Sequence, residues 1–224
     1  KSGKALLSAR TLVSPWLWRG VLSGDWRALH KGFSGVADYF RIVRGLVAFR
    51  IWFADFMRKR GLSLATTLFY TFWFSDEATA LGLIGARNRD VKVITRMHRF
   101  DIYEFAGYPI ARLRTLRAAA MRGLLQICPC SDCGTEYVQN IYPKHRQKIK
   151  TDYLGVRDPQ PRCGKLRKDM FGILSISNVI AVKRVDLVFR CLSALASAFP
   201  DKSFEWTHVG GGERFAALQE LVAT

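Results

Sequence analysis

The sequence predicts an α/β protein, with parallel sheets covered by helices and arranged as two successive units. Three observations carry this. Short β-branched and aromatic runs alternate with helical periodicities across short connections, the order that parallel βα units generate. A charged segment containing proline and glycine, Arg157 to Asp169 (RDPQPRCGKLRKD), interrupts the alternation and reads as an interdomain linker. After it the alternation restarts. The units are therefore expected at residues 1–156 and 170–224, with 157–169 between them and the second unit stopping after two strands and two helices.

The elements follow in order. Residues 1–35 carry Trp16, Trp18 and Trp26 among Gly, Ser and Arg and read as one or two short helices. From Val36 to Arg60, apolar residues recur at helical spacing (Tyr39, Val43, Leu46, Val47, Phe53, Met57) with Arg41, Arg44, Arg50 and Arg58 largely between them. That describes an amphipathic helix with a basic outer face, closed by Gly61. Thr66 to Phe74 reads as a strand, Ser75-Asp76-Glu77 as the capped start of a helix through Ala86, and Val91 to Thr95 as a short strand. Pro109 to Arg122 is expected to be helical, Leu124 to Cys130 a strand, Ser131 to Tyr142 a helix and Ile149 to Leu154 a strand. Beyond the linker the expectations are strand Phe171 to Ser177, helix Arg184 to Phe199, strand Phe204 to Val209 and helix Glu213 to Val222.

Charge is the unusual bulk property. The 224 residues hold 35 Lys+Arg against 18 Asp+Glu, a net charge of +17. Such a surface favours polyanions, anionic membranes or phosphorylated substrates, and charge alone does not choose among them. The five cysteines include Cys128, Cys130 and Cys133 but no second paired knuckle, so structural thiols are the expectation and no metal is assigned. The absence of a disulfide pattern points to a reducing cytoplasm. The longest charge-free run, Gly61 to Ser75, falls short of the roughly 20 residues a spanning helix needs. The chain opens with Lys-Ser-Gly and closes at Val222-Ala223-Thr224 within an apolar helical pattern, and a fragment of a longer protein is expected.

Candidate chemistry clusters in three places. In ILSISNVIAVKRVDLVFRCLSAL, a strand ending at Ser175 to Asn178 leads through a loop to Lys183, just before a helix that continues Val185-Asp186-Leu187. A lysine beside a helix N-terminus can neutralise an anionic group bound there; the alternative is a solvated helix-start residue. In FEWTHVGGGERFAALQEL, a strand runs into Gly210-Gly211-Gly212, where glycines let backbone N–H groups approach a ligand, or simply make the turn into a helix. In VITRMHRFDIYE, His98 and Asp101 follow a strand, where His98 could hydrogen-bond a ligand, or else lie at the core edge with Asp101 starting a helix.

Together these strings resemble glycosyltransferase family 4, over roughly residues 65 to 222 and most closely over 171 to 212. The family's acceptor-side strand is followed by His-Gly-x-Asp; His98 and Asp101 match, and Arg99 replaces the glycine. Many members carry an arginine where Asn178 stands, so one of two cations is replaced by a hydrogen-bond donor. The resemblance implies the GT-B arrangement of two Rossmann-like units, the second incomplete here. It also implies a retaining, metal-independent transfer from a nucleoside diphosphate sugar, which is a co-substrate and not a bound cofactor. Members with the Arg-x-His-x-x-Asp-x-Tyr pattern resemble bacterial surface-polysaccharide transferases. The implied roles are catalytic for His98 and Asp101, and donor-phosphate binding for Asn178, Lys183, Gly210, Gly211 and Gly212. Two further glutamates of the family, spaced E-x7-E, would lie beyond Thr224, which makes this piece inactive on that reading.

The expected partners are a nucleotide sugar, a lipid-linked or saccharide acceptor, and an anionic membrane surface met by the basic helix, placing the protein at the inner face of the cell membrane. The competing class is a basic nucleic-acid-binding or membrane-surface protein without catalysis. No helix-turn-helix, KH or RRM signature supports specific nucleic-acid recognition.

Overall fold

The computed structural model describes residues 2–23, 33–103, 116–158 and 170–223. The chain divides into two compact units, Lys1–Val156 and Arg157–Thr224. Most of the expected linker, from residue 159 to 169, lies outside the described residues, as do residues 104–115 with the first part of the helix expected from Pro109. Among the described residues, no helix is long and apolar enough to cross a membrane.

The first unit opens with helices α1 (Ser2–Leu12), α2 (Pro15–Ser23) and α3 (Phe33–Arg60). Helix α3 buries Tyr39, Val43, Leu46 and Val47 and later Phe53 and Met57, the stripe its periodicity requires, and leaves Arg41, Arg50 and Arg58 outside. Arg41 pairs with Asp38, and Arg58 and Lys59 share Asp55, so part of the basic face is neutralised within the helix. Tyr39 Oη donates to the Trp16 carbonyl at 2.8 Å, tying α2 to α3.

Strands β1 (Leu68–Thr71), β2 (Lys92–Met97) and β3 (Gln126–Pro129) form a parallel sheet in that order, with Thr71 opposite Thr95 and Arg96 opposite Cys128. Helices α4 (Asp76–Gly85), α5 (Arg99–Ile102), α6 (Arg117–Met121) and α7 (Asp132–Ile141) connect and cover it. The sheet is an α/β parallel sheet as expected, but two strands are shorter than their composition suggests. β1 stops at Thr71 because the Phe74 N–H goes to the Asp101 carboxylate and not to a neighbouring strand. The segment expected as a strand from Ile149 to Leu154 keeps a single bridge, Ile149 to Ile127. Lys150 and Asp152 donate their N–H groups to the carbonyls of Ile127 and Pro129, but Pro129 has no N–H to return, so the ladder cannot continue.

Helices α4 and α6 meet backbone to backbone. A Cβ at Gly82 would lie 2.6 Å from the Ala120 carbonyl oxygen, one at Gly85 would lie 2.5 Å from that of Gly123, and one at Gly123 would lie 2.0 Å from that of Gly82. Only glycine permits this approach.

The second unit pairs β4 (Met170–Ile176) with β5 (Ser203–Val209) in parallel, Ser175 opposite His208 and Ile176 opposite Val209. Helix α8 (Val185–Ala198) follows β4 and α9 (Phe215–Ala223) follows β5. Its core is small: Val179, Val185 and Leu218 are buried, with Trp206 packed against them. Phe171, Leu174 and Ile176 stay exposed along β4.

Gly123→Ala should lower the melting temperature by the equivalent of about 1–3 kcal/mol or more, because backbone atoms must move to admit the methyl group. Gly45→Ala, with nothing within 4 Å on the exposed side of α3, should raise it slightly. Thermal melts of the two variants side by side check the pair.

Candidate functional site

The carboxyl ends of the first sheet's strands lead into loops that bring together aromatic and polar residues. After β1 come Phe72, Trp73 and Phe74; after β2 come His98 to Asp101; after β3 comes Ser131, whose hydroxyl accepts the Gly134 N–H at 3.2 Å and caps α7. This edge is where open parallel sheets hold ligands.

Asp101 organises the edge from beneath. It is 1% exposed, and its carboxylate accepts the Phe74 N–H through Oδ2 at 2.6 Å and the His98 N–H through Oδ1. Arg117, fully buried, donates to the Asp101 carbonyl at 2.7 Å and to the Phe74 carbonyl at 3.1 Å, with its guanidinium 4.6 Å from the centre of the Phe74 ring. Burial pushes the Asp101 carboxyl above its usual range, opposed by the N–H bonds from Phe74 and His98 and by the Arg117 charge. The geometry makes Asp101 a positioning group: both oxygens are occupied by the main chain of the two loops it joins.

His98 is half-buried between two aromatic rings, 4.4 Å from Phe72 and 4.5 Å from Trp73 between centroids. Phe72 and Trp73 are each 46% exposed, so they present apolar faces beside the imidazole. The His98 Nε2 atom is buried with no partner among the described residues. An imidazole nitrogen of this kind can accept or donate one hydrogen bond, according to the tautomer.

Arg96 is a residue that sequence reasoning passed over, although it opens the Arg-x-His-x-x-Asp-x-Tyr string. It is 8% exposed and donates from Nη2 to Asp152 Oδ2 at 2.6 Å and to the Tyr153 carbonyl at 3.2 Å; its buried Nη1 has no partner among the described residues. Next to it, the hydroxyls of Tyr153 and Thr151 hold Asp132 below the usual carboxylate range. Cys128 is buried, Cys130 half-buried and Cys133 exposed. Burial pushes the Cys128 thiol upward, which keeps it protonated and unreactive. Among the described residues, no group of three or more His, Cys, Asp or Glu side chains is placed to hold a metal ion.

In the second unit, the loop after β4 and the glycine turn after β5 are bound to each other. The Ser177 N–H donates to the Val209 carbonyl at 3.1 Å, Val179 N–H to Gly211 at 2.9 Å and Arg214 N–H to Val179 at 3.1 Å. Gly210 and Gly212 take φ of 141° and 155°, and a Cβ at either would lie 2.0 Å and 2.5 Å from the carbonyl oxygens of Ser177 and Val179. Their first role is therefore close docking of the two loops. Asn178 and Lys183 are exposed on that docked loop, Lys183 closing a 3-10 turn (Ala181–Lys183) directly before α8. Arg184 takes a left-handed conformation (φ 50°) to turn the chain into the helix.

A second feature missed in the sequence anchors this loop. The Trp206 Nε1–H donates to Ser175 Oγ at 2.9 Å, Ser175 Oγ lies 2.8 Å from His208 Nδ1, and His208 Nε2 lies 3.1 Å from the Ser177 carbonyl. The chain is satisfied throughout if Ser175 donates to Nδ1 and the proton of His208 is on Nε2, donating to Ser177. The alternation of the strands placed Ser175 and His208 on one face; their pairing needed the register.

No family model matches the chain, and no curated protein matches it. The functional reading therefore rests on the residues and their arrangement.

Two outcomes follow. Because the Asp101 carboxyl titrates higher in the folded chain than in the unfolded one, the folded state holds more protons between those values. Its contribution to stability is thus greatest at low pH and declines as pH rises through that interval. Asp101→Asn should remove that decline from a melting profile recorded from about pH 3 upward. It should also cost about 1–3 kcal/mol, since the amide can accept only one of the two N–H groups. Gly210→Ala should loosen the docked loop by about 1–3 kcal/mol, read as roughly ten- to hundredfold faster hydrogen exchange at the Val179 amide. Gly211→Ala, with nothing within 4 Å of its added Cβ, is the control.

Proposed function

We propose that the chain is part of a GT-B glycosyltransferase that moves a sugar from a nucleoside diphosphate sugar to a lipid-linked or saccharide acceptor. The observation that carries the reading is the docked pair of loops at the carboxyl edge of β4 and β5. There, exposed Asn178 and Lys183 lie on a loop hydrogen-bonded to the Gly210–Gly212 turn. That is the edge where parallel α/β sheets bind nucleotides, and a lysine there offsets the charge that develops on a diphosphate leaving group.

In this reading the second unit binds the donor, with Lys183 and Asn178 at the diphosphate. The first unit serves the acceptor side: the His98 Nε2 contacts a sugar hydroxyl, the exposed rings of Phe72 and Trp73 meet apolar sugar faces, and Asp101 holds the loop that carries His98. Retention of configuration without a metal follows from the resemblance, as does a place at the inner face of the cell membrane. The net charge of +17 suits acceptors that bear phosphate and sit in anionic lipid.

Turnover of a panel of nucleoside diphosphate sugars by the complete enzyme of which this chain would be a part, with a membrane extract supplying acceptors, tests the proposal. Activity of that enzyme should be confined to one base. Lys183→Ala should lower kcat/KM about a hundredfold or more, as loss of a transition-state charge partner does. Unchanged kinetics in Lys183→Ala would remove the donor-phosphate role. Binding that is indifferent to the base but falls steeply with salt, with nucleic acid as the tighter ligand, would favour the non-catalytic basic protein instead.

A further inference from the structure

At the amino edge of the first sheet, opposite the loops that carry His98, lies a concave cavity of about 480 Å³, a size that suits a small molecule. Its floor is the backbone of Gly85, Ala86 and Gly123, where α4 and α6 cross, together with Val91 and Leu124 at the approaches to β2 and β3. Around it stand Arg19 from α2, Arg87 and Arg89 from the α4–β2 turn, Lys92 at the start of β2, and Arg122 after α6. All five are exposed, and among the described residues none of them is in an ion pair and no acidic side chain lines the cavity.

Local structure does not account for so much charge of one sign. Helices α4 and α6 both end here, and a helix C-terminus carries about half a negative charge at most. Two such ends offset about one of the five cations. The rest of the site adds positive charge: Lys148 donates to the carbonyls of Met121, Arg122 and Leu124 at 3.3, 2.8 and 2.8 Å, fixing the floor. Burial and the nearby Arg89 charge push that ammonium below its usual range, as crowding of like charges should.

Trp16, 2% exposed, is part of the lining, and its ring is covered by the Arg50 guanidinium at 5.3 Å, a further cation close to the site.

We infer that this cavity is a binding site for a compact phosphate group carrying two or more negative charges, a phosphomonoester or a pyrophosphate, received by Arg19, Arg87, Arg89, Lys92 and Arg122. Convergence of five cations on one volume suits a compact multivalent anion. A nucleic-acid backbone spreads single charges along a line and is better met by an extended basic stripe. The ligand is either soluble or the headgroup of an anionic lipid; beside the cavity, Val13, Trp18 and Leu22 expose apolar side chains on and next to α2.

Calorimetric titration with inorganic pyrophosphate tests the site. All proteins carry Lys183→Ala, so that the diphosphate site proposed in the second unit makes no contribution. Pyrophosphate should bind saturably. Arg89→Gln with Arg122→Gln should weaken it at least about tenfold, since each loses a charge-assisted hydrogen bond. The same change at Arg41 and Arg58, on the outer face of α3, should leave it within about twofold, and thermal melts confirm that each variant is folded. Flotation with neutral vesicles containing phosphatidate, or phosphatidylserine matched for charge, separates the sources. Phosphatidate-selective flotation displaced by pyrophosphate identifies a headgroup, and pyrophosphate binding without flotation identifies a soluble ligand. The inference is overturned if pyrophosphate does not bind at millimolar concentration, if the Arg89/Arg122 pair binds like its parent, or if an oligonucleotide binds more tightly than pyrophosphate and depends equally on the α3 arginines.

Discussion

The first unit depends on one buried carboxylate. Asp101 draws the main chain after β1 and the main chain after β2 onto the same pair of oxygens, and Arg117 braces both loops through their carbonyls. Removing the pair would leave two N–H groups and two carbonyls without those bonds in a dry interior, each a loss of about 1–3 kcal/mol. The position of His98, the early end of β1 and the outward turn of Phe72 and Trp73 all follow from this arrangement. Burying charged groups is a weak source of net stability, yet their directional hydrogen bonds specify geometry where an apolar contact would allow sliding.

The second unit solves the same problem without charge. Its two loops are held by main-chain bonds that only glycine allows at positions 210 and 212, and by the Trp206–Ser175–His208 relay beneath them. Both units thus fix the carboxyl edge of a parallel sheet through main-chain hydrogen bonds. The difference lies in depth. The first unit has a continuous apolar core, whereas the second, among its described residues, has a core of Val179, Val185 and Leu218 around one tryptophan.

Most elements were legible because periodicity is a local property. The stripe of α3, the Ser131 cap of α7 and the restart of βα alternation at Met170 could all be read from neighbouring residues. Long-range competition for hydrogen bonds was not legible. Nothing near Phe74 in sequence says that its N–H leaves the ladder for Asp101, and Arg117 looks like any other member of an arginine-rich helix until it is found fully buried. Pro129 did carry a readable signal, a missing N–H in a strand, but its effect fell on the segment from Ile149. The glycines of the Gly210 turn were legible as a motif; that two of them are demanded by Ser177 and Val179 required the fold.

The crossing of α4 and α6 at Gly82, Gly85 and Gly123 bears on how this unit can move. Packed helices slide past one another by exchanging side-chain rotamers at their contact, the shear mode of domain motion. Here the contact is made of backbone atoms, and there are no rotamers to exchange. Sliding between α4 and α6 at the amino edge of the sheet is therefore disfavoured.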